Sequence, residues 1–357
     1  MFEESRLKLA RARRGLTAKA LAEQAGLSVD TVKRLEQGRN EPEPHTVGKL
    51  AEALEYPEEF FFGPKVDAVD PGAVSFRSFS KMTARERDAS LGAGSVGLML
   101  SGWVEERFGL PEPDLIDLSY ESDPEVAASQ MRQQWSLGQQ PIADLMALLE
   151  VKGVRLFSLT ENTASVNAFS FWRGGKPYMF LNNFKTAESS RFDAAHELAH
   201  LVMHMHGDPK KGRNVEREAN AFASAFLMPA EDVIARIPRR VTTDTVIRAK
   251  ARWRVSAMAM AYRLHRLKRL SEWQYKSICI DLTKRGYRTG EPNGIRREKS
   301  KVWRQVLTML WQERVTKADI ARELSLPLGE IEALVWSLTA GDADGERKER
   351  GSLRAIH

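Results

Sequence analysis

The chain has 357 residues and a formal net charge of +6, and 42% of its residues are hydrophobic. This length is enough for two or three domains with a sizeable core. The one cysteine, Cys279, excludes an intrachain disulfide and is typical of a protein in a reducing compartment. Neither the N-terminus nor the most apolar window, residues 91–104, has the character of a signal peptide or a membrane span. We therefore expect a cytoplasmic protein that does not enter the membrane.

Residues 1–65 predict an all-helical domain of five short helices. Thr17 and Ser28 are suited to begin the second and third helices, because their hydroxyl groups accept hydrogen bonds from the N–H groups of a first helical turn. Gly26 makes a tight turn between these two helices, and the helix over residues 46–54 places apolar side chains on one face. Two short helices joined through a glycine predict a helix-turn-helix unit.

The segment GLTAKALAEQAGLSVDTVKRLEQGRNEPEPHTVGKLAEALE resembles the XRE (Cro/C1-type) DNA-binding family along its whole length. The resemblance implies a double-stranded DNA operator as partner, bound by a homodimer on paired half-sites. The start of the recognition helix, which is the third helix of the chain, would read base edges, and the loop after that helix would contact phosphate. The residues so placed are Val29, Asp30, Thr31, Lys33 and Arg34 in the helix, and Arg39 and Asn40 in the loop. Ala18 replaces the glutamine common in this family, so one usual contact is missing.

Charge alone gives this domain little support as a DNA-binding unit, since residues 1–65 contain eleven Lys and Arg against eleven Asp and Glu. The cations are nevertheless grouped. We place six of them near the expected DNA side: Arg11, Arg13, Arg14, Lys33, Arg34 and Arg39. The alternative is a helical protein-interaction domain that does not touch DNA, but motif and charge grouping together favour DNA binding.

Residues 66–120 are interpreted as a linker and a helical connector. The stretch over residues 66–80 contains proline and glycine and alternates in polarity, which indicates a linker. One long helix, or two, is expected over residues 83–108.

Residues 121–240 predict an α+β unit. Helical patterns cover residues 124–135 and 142–150. Strands are expected over residues 154–159, 168–172 and 178–181, the last two joined by the hairpin sequence Arg173-Gly174-Gly175-Lys176. Together with the helix that follows, which carries an H-E-x-x-H pattern at residues 196–200, this small sheet suits a zincin-like α+β fold.

The chemistry of this unit is concentrated in His196-Glu197-Leu198-Ala199-His200, an H-E-x-x-H pattern on a predicted helix. The spacing of four residues puts both imidazoles on one helical face, where they can share a Zn²⁺ ion. Glu197 projects about 100° round the helix from His196 and can take a proton from water. The two rings are therefore predicted metal ligands, and Glu197 is the predicted catalytic base.

A zinc peptidase needs a third protein ligand and an open coordination position. Glu216 is the leading candidate, and Asn220 lies one helical turn further on, as a neighbour able to orient a ligand. Glu218 is the competing ligand, but it points about 200° away on the same helix, so both cannot serve. The alternative for Glu216 is a solvated helix charge.

The runs HELAHLVMH and EREANAFASAFLMP resemble the ImmA/IrrE family of metallopeptidases over about residues 150–290. In that family the first carboxylate of the second run is the third ligand, which corresponds to Glu216. Ala199 stands where many relatives have glycine, a change that does not disturb the helix. The resemblance implies cleavage of XRE-type repressor proteins. His204 is interpreted as a residue behind the ligands, with an accessory-ligand role as the alternative, and His206 points elsewhere.

The C-terminal part begins with a strongly basic stretch. Residues 236–304 contain twenty Lys and Arg against five Asp and Glu, a net charge of +15. Within it, residues 241–290 include a second helix-turn-helix-like pattern with its turn at Val255-Ser256. The stretch is interpreted either as a second nucleic-acid surface or as a basic face that packs on acidic elements of the same chain.

Residues 291–340 are expected to be helical, with a third pattern of the helix-turn-helix type. Its second helix carries Glu330 and Glu332, which would repel phosphate, so we expect protein contact there. Residues 341–357 are predicted to be disordered.

The sequence thus predicts a mostly helical α+β protein with six segments. They are a DNA-binding domain (1–65), a linker and connector (66–120), a metallopeptidase domain (121–240), a basic helical segment (241–290), a C-terminal helical domain (291–340) and a tail (341–357). The predicted function is a DNA-binding regulator with a zinc endopeptidase that cleaves a repressor-like protein, in trans or itself. Ligand type favours zinc, with manganese as the alternative. A non-proteolytic or antitoxin-like transcription factor with a structural or sensory zinc is the second hypothesis.

Overall fold

The computed structural model describes residues 1–74, 82–159, 168–182, 184–205 and 213–339. These residues form many helices and one three-stranded sheet, which confirms the predicted, mostly helical α+β class. The first helices are α1 (Glu4–Arg13), α2 (Ala18–Ala25), α3 (Val29–Glu36), α4 (Pro44–Leu54), α5 (Ala84–Glu105), α6 (Pro124–Gln134) and α7 (Leu145–Val151). The strands are β1 (Arg155–Leu159), β2 (Ala168–Arg173) and β3 (Lys176–Asn182). The later helices are α8 (Ala187–Met203), α9 (Arg213–Leu227), α10 (Ala230–Arg236), α11 (Thr243–Trp253), α12 (Ala257–Arg266), α13 (Glu272–Lys284), α14 (Lys301–Gln312), α15 (Lys317–Glu323) and α16 (Leu328–Thr339).

Helices α1 to α4 form the N-terminal domain around buried leucine and valine side chains, among them Leu7, Leu21 and Val32. The side chain of Thr17 caps α2 and that of Ser28 caps α3, as their positions predicted. Gly26 follows α2 with a φ of 62°, a left-handed conformation that glycine adopts without steric cost.

Helix α5 joins the N-terminal domain to the sheet, because it packs on α1 and on β1. Its glycines permit this close approach. A Cβ atom at Gly97 would lie 2.6 Å from the ring of Phe180 in β3, and one at Gly92 would lie 2.9 Å from the side chain of Arg13 in α1. The apolar window of the sequence is therefore a buried structural helix.

The sheet has the order β1-β3-β2, with β1 parallel and β2 antiparallel to β3. Phe157, Phe180 and Phe169 lie side by side across the three strands. Their rings stack, with centroids 5.1 Å apart for Phe157 and Phe180 and 4.7 Å apart for Phe169 and Phe180. Helix α8 packs on β2 and β3, and α16 packs on β1. Cross-strand aromatic pairs of this kind fix the register of the sheet that supports α8.

Much of the basic stretch packs on acidic residues of the same chain. Lys250 is buried between Glu188 of α8 and Glu291. Other ion pairs of this kind join Arg252 to Asp232, Arg254 to Glu298, Arg263 to Glu125 and Arg285 to Asp244. The structure thus shows intrachain packing for these cations.

Two expectations require correction. The linker expected over residues 66–80 is docked where the structure describes it, over residues 66–74, because Val66 and Val69 are buried and their N–H groups donate to Ser5 Oγ and Ser95 Oγ. Residues 75–80 and the tail over residues 341–357 lie outside the described residues.

The second correction concerns the cations placed on the DNA side. Arg11 pairs with Glu36 inside the N-terminal domain. Arg13 and Arg14 both pair with Glu330 at the start of α16. The expectation that Glu330 contacts protein is confirmed, and Arg11, Arg13 and Arg14 therefore serve contacts within the chain.

Candidate metal centre

Helix α8 brings the two histidines of the H-E-x-x-H pattern together. The Nε2 atoms of His196 and His200 lie 3.1 Å apart. Thr186 caps the helix by accepting a hydrogen bond from the Ser189 N–H group, and the second half of α8 is almost wholly buried between the sheet and α9. The rings are therefore carried by a rigid element, as a metal site requires.

Helix α9 supplies a carboxylate to the same point. Glu216 Oε2 lies 3.2 Å from His196 Nε2, and Glu216 Oε1 lies 3.6 Å from His200 Nε2. Two donors about 2.1 Å from a tetrahedral zinc ion are about 3.4 Å from each other. The three side chains thus have the donor types and the spacing of a three-ligand zinc site, and one donor atom from each lies within 4.8 Å of the others. They form a candidate metal site.

The far side of His196 is held by Asn220. The Nδ1 atom of His196 lies 3.1 Å from Asn220 Oδ1. An amide oxygen can only accept, so Nδ1 donates to it, and Nε2 is the nitrogen that faces the candidate site. Asn220 thus contacts one of the two candidate ligands directly.

The far side of the His200 ring contacts His204, which in turn contacts Glu218. His200 Nδ1 lies 3.0 Å from His204 Nδ1, and His204 Nε2 lies 3.3 Å from Glu218 Oε2. With Nε2 of His200 facing the metal site, its Nδ1–H donates to His204, and the Nε2–H of His204 donates to Glu218. His204 and Glu218 therefore lie behind the ligands and outside the cluster of three donors. His206 lies outside the described residues.

The surroundings shift the pKa values of the two rings in opposite directions. Burial, together with the neighbouring His196, lowers the pKa of His200 well below its ordinary value. Burial also acts to lower the pKa of His196, but the hydrogen bond and charge of Glu216 outweigh it, so that pKa is raised. Burial thus favours the neutral form of the His200 ring, whereas Glu216 favours the protonated form of the His196 ring.

Glu197 occupies a buried position against the sheet. The Oγ atom of Ser170 in β2 donates a hydrogen bond to Glu197 Oε2 at 2.8 Å. Burial raises the pKa of Glu197 to about 7, despite the opposing effects of His196 and Ser170. A carboxyl group with a pKa near the working pH is suited to accept and return protons. Sequence reasoning missed Ser170, whose only signal was its place in a predicted strand beside the helix that carries the H-E-x-x-H pattern.

The predicted DNA contacts lie on or after α3. Asp30, Lys33, Arg34, Arg39 and Asn40 are exposed. Arg34 pairs with Asp30 at 2.7 Å on the surface. Two other predicted contacts are less free than expected, since Val29 is half-buried against the core and Thr31 shares a 2.8 Å hydrogen bond with Ser28. The exposed face of α3 therefore offers Lys33 and Arg34 as its cations.

Two parts of the chain match known protein families. Residues 149–265 match the family described as the IrrE N-terminal-like domain, a metallopeptidase-like family, and residues 5–59 match a helix-turn-helix domain family. No curated protein matches the chain. Both resemblances drawn from the sequence are confirmed. Among the described helices, none combines the length and apolar character needed to span a bilayer.

Proposed function

We propose that this chain, which joins an XRE-like helix-turn-helix domain to an ImmA/IrrE-like metallopeptidase domain, is a DNA-binding regulator with a zinc-dependent endopeptidase activity. Its substrate is a repressor-like protein, and cleavage derepresses stress, prophage or mobile-element genes. The observation that carries the proposal is the convergence of His196, His200 and Glu216 from two helices.

In this proposal the three converging side chains hold Zn²⁺, with Mn²⁺ as the alternative metal. When bound there, zinc supplies a Lewis acid that polarises a peptide carbonyl and acidifies water. Asn220 and His204 orient the two rings from behind. Outer hydrogen-bond partners of this kind typically change metal affinity or activity by about 10- to 100-fold when they are removed.

Glu197 is the proposed general base and acid. Its carboxylate accepts a proton from the attacking water and returns it to the amine that leaves. Ser170 holds Oε2 by donating a hydrogen bond, so the proton is carried by the other oxygen, Oε1. The buried position keeps the carboxylate away from competing bulk water.

The N-terminal domain brings the peptidase to DNA. The start of α3 enters the major groove of an operator, with the chain acting as a homodimer on two half-sites. The packing of residues 66–74 on the rest of the chain favours a substrate in trans over cleavage at this point of the chain itself.

The first test is metal content. We expect one zinc per chain in the purified full-length protein, measured by mass spectrometry of the metals, and loss of zinc in His200→Ala. His45→Ala is the matched control, since His45 is exposed and lies in the N-terminal domain. Full zinc content in His200→Ala would contradict the proposal that His200 is a zinc ligand.

The second test is cleavage of purified XRE-type repressors by the full-length protein, with and without DNA. Glu197→Gln should keep the zinc and lower the cleavage rate by at least about 100-fold, because a general base contributes 10²- to 10⁴-fold. Cleavage that persists in Glu197→Gln contradicts the mechanism. A zinc-bound wild type that leaves every repressor intact would favour the non-proteolytic, antitoxin-like alternative.

A further inference from the structure

A large cleft borders the candidate metal centre. It has a volume of about 740 Å³ and lies between α8, α9 and α12. This volume is in the range of sites that enclose small ligands or a few side chains of a peptide. The cleft wall contains polar, charged and aromatic groups, which suits a peptide better than a purely apolar ligand.

Hydrogen bonds connect the wall of this cleft to the metal site. Asn220 lines the cleft and accepts from His196, and Glu218 lines the cleft and accepts from His204. The three metal donors themselves are not part of the wall. The cleft therefore adjoins the side chains that hold the two rings from behind, and it lies next to the candidate metal site without containing its donors.

Most of the charged groups in the wall already have partners. Lys185 pairs with Asp193 at 2.6 Å, and Glu218 pairs with His204. Arg217 of α9 and Arg266 of α12 differ from them, since neither makes an ion pair or hydrogen bond through its side chain with any residue that the structure describes. Both side chains are exposed at the cleft, and a guanidinium group offers a planar set of N–H donors that matches a carboxylate.

Two aromatic side chains complete the wall. Phe192 of α8 is half-buried, and Tyr262 of α12 is 40% exposed even though it is a large side chain. An apolar side chain can pack on these rings, while a carboxylate can make paired hydrogen bonds with a guanidinium.

We infer that this cleft is the substrate-specificity site and that it selects a segment with an acidic side chain next to an apolar one, close to the scissile bond. Arg217 and Arg266 bind the carboxylate, and Phe192 and Tyr262 contact the apolar neighbour. The inference rests on the proposed peptidase function, whose substrate class it specifies. It also gives the second helix-turn-helix-like pair a role as a wall of the cleft.

The test measures binding without turnover, using full-length Glu197→Gln. The probes are three fluorescent hexapeptides with alternating Leu and Asp, Leu and Asn, or Leu and Lys. We expect the Asp peptide to bind at least about 10-fold more tightly than the Asn peptide by fluorescence anisotropy, since charge-assisted hydrogen bonds contribute about 1.5–3 kcal/mol. The Lys peptide should bind most weakly.

The decisive variant combines Arg217→Ala with Arg266→Ala and should remove the preference for Asp. The matched control combines Arg248→Ala with Arg288→Ala, which changes the charge equally at exposed positions outside the cleft and should keep the preference. The double variant Arg217→Lys with Arg266→Lys should restore part of the preference for the Asp peptide. Thermal unfolding followed by circular dichroism verifies that each variant is folded.

Equal binding of the Asp and Asn peptides, or a preference that survives in the Arg217 and Arg266 variant, overturns the inference. A preference lost equally in the control also overturns it, because the effect would then be general charge attraction. The two proposals fail separately: repressor cleavage without Asp selectivity rejects only the cleft assignment, and Asp selectivity without cleavage by the wild type rejects only the peptidase.

Discussion

The pairs α2–α3 and α11–α12 follow the same local rules but present their second helices to different surroundings. In each pair a threonine caps the first helix, a residue in the left-handed conformation makes the turn, and a serine caps the second helix. The turn residue is Gly26 in the first pair and Arg254 in the second, with φ of 62° and 55°. Caps and turns therefore specify the helix pair but not what it binds.

The difference lies in what each second helix faces. Helix α3 exposes Lys33 and Arg34 on an outer surface of the N-terminal domain. Helix α12 instead directs Tyr262 and Arg266 into the cleft beside the candidate metal centre, and its Arg263 is buried in an ion pair with Glu125. The second helix of the first pair is exposed, as DNA binding would require, whereas that of the second pair lines a cleft of the metallopeptidase-like domain.

The second helix of the third pair, α15–α16, contacts the N-terminal domain, and breaking this contact should give the largest loss of stability. Glu330 at the start of α16 is buried and accepts from Arg13, Arg14 and Tyr56 of the N-terminal domain. Glu330→Ala leaves these donors without their shared acceptor. We expect a loss of about 3–5 kcal/mol in the free energy of unfolding, measured by urea denaturation.

Glu332→Ala is the matched control for this prediction. Glu332 lies on the same helix, is about half exposed and lies 4.0 Å from Lys317. Its removal should change stability by less than about 0.5 kcal/mol, because exposed pairs contribute little. Similar losses in both variants would show that α16 does not anchor the N-terminal domain through Glu330.

The second prediction separates α3 from α12 by DNA affinity. Arg34→Ala should weaken binding to an operator, selected with the wild-type protein from random DNA, by about 10- to 100-fold, since a good contact to a base pair is worth 1–3 kcal/mol. Arg266→Ala on α12 should leave this affinity unchanged. Weaker operator binding by Arg266→Ala but not by Arg34→Ala would contradict the assignment of DNA binding to α3. All affinities are measured at one fixed salt concentration, because binding to DNA depends strongly on salt.

Local patterns predicted most of the elements but not their partners. The spacing of His196 and His200 predicts adjacent rings, because helix geometry alone brings them together. The choice between Glu216 and Glu218 depends on how α9 is rotated against α8, and the structure places Glu216 beside the rings and Glu218 beside His204. Residue types alone cannot fix that rotation, which is set by packing between helices.

The same limit applies to charges far apart in the chain. Arg13 and Arg14 look like DNA-binding cations within the first domain, yet Glu330, more than three hundred residues later, accepts from both. Ser170 was missed for a related reason, because its hydrogen bond to Glu197 crosses from a strand to a helix. Contacts of this kind depend on the tertiary arrangement.

The third prediction concerns the pH dependence of the contact made by α16. Burial acts to raise the pKa of Glu330, but Arg13, Tyr56 and Arg14 outweigh it, so the pKa is lowered. A carboxyl group whose pKa is lowered in the folded state stabilises the fold above its unfolded pKa, and this contribution is lost as the pH falls through the folded value. The stability difference between wild type and Glu330→Gln should therefore be constant from pH 7 to about 5 and narrow below that. Urea midpoints measured across this range test it, and a difference that widens in acid would contradict the assignment.

The smallest expected effects compare the two serine caps directly. Ser28 Oγ accepts from the Thr31 N–H group at 3.0 Å, and Ser256 Oγ accepts from the Ala259 N–H group at 3.1 Å. Replacing either serine with alanine should cost about 1 kcal/mol of stability, because each removes one cap of the same type. Ser28→Ala should then weaken operator binding a few-fold and leave binding of the Leu-Asp peptide unchanged, whereas Ser256→Ala, at the wall of the cleft, should do the reverse. If both variants weakened the same binding, either to the operator or to the Leu-Asp peptide, α3 and α12 would serve one surface. The assignment of DNA binding to α3 and of peptide binding to α12 would then be wrong.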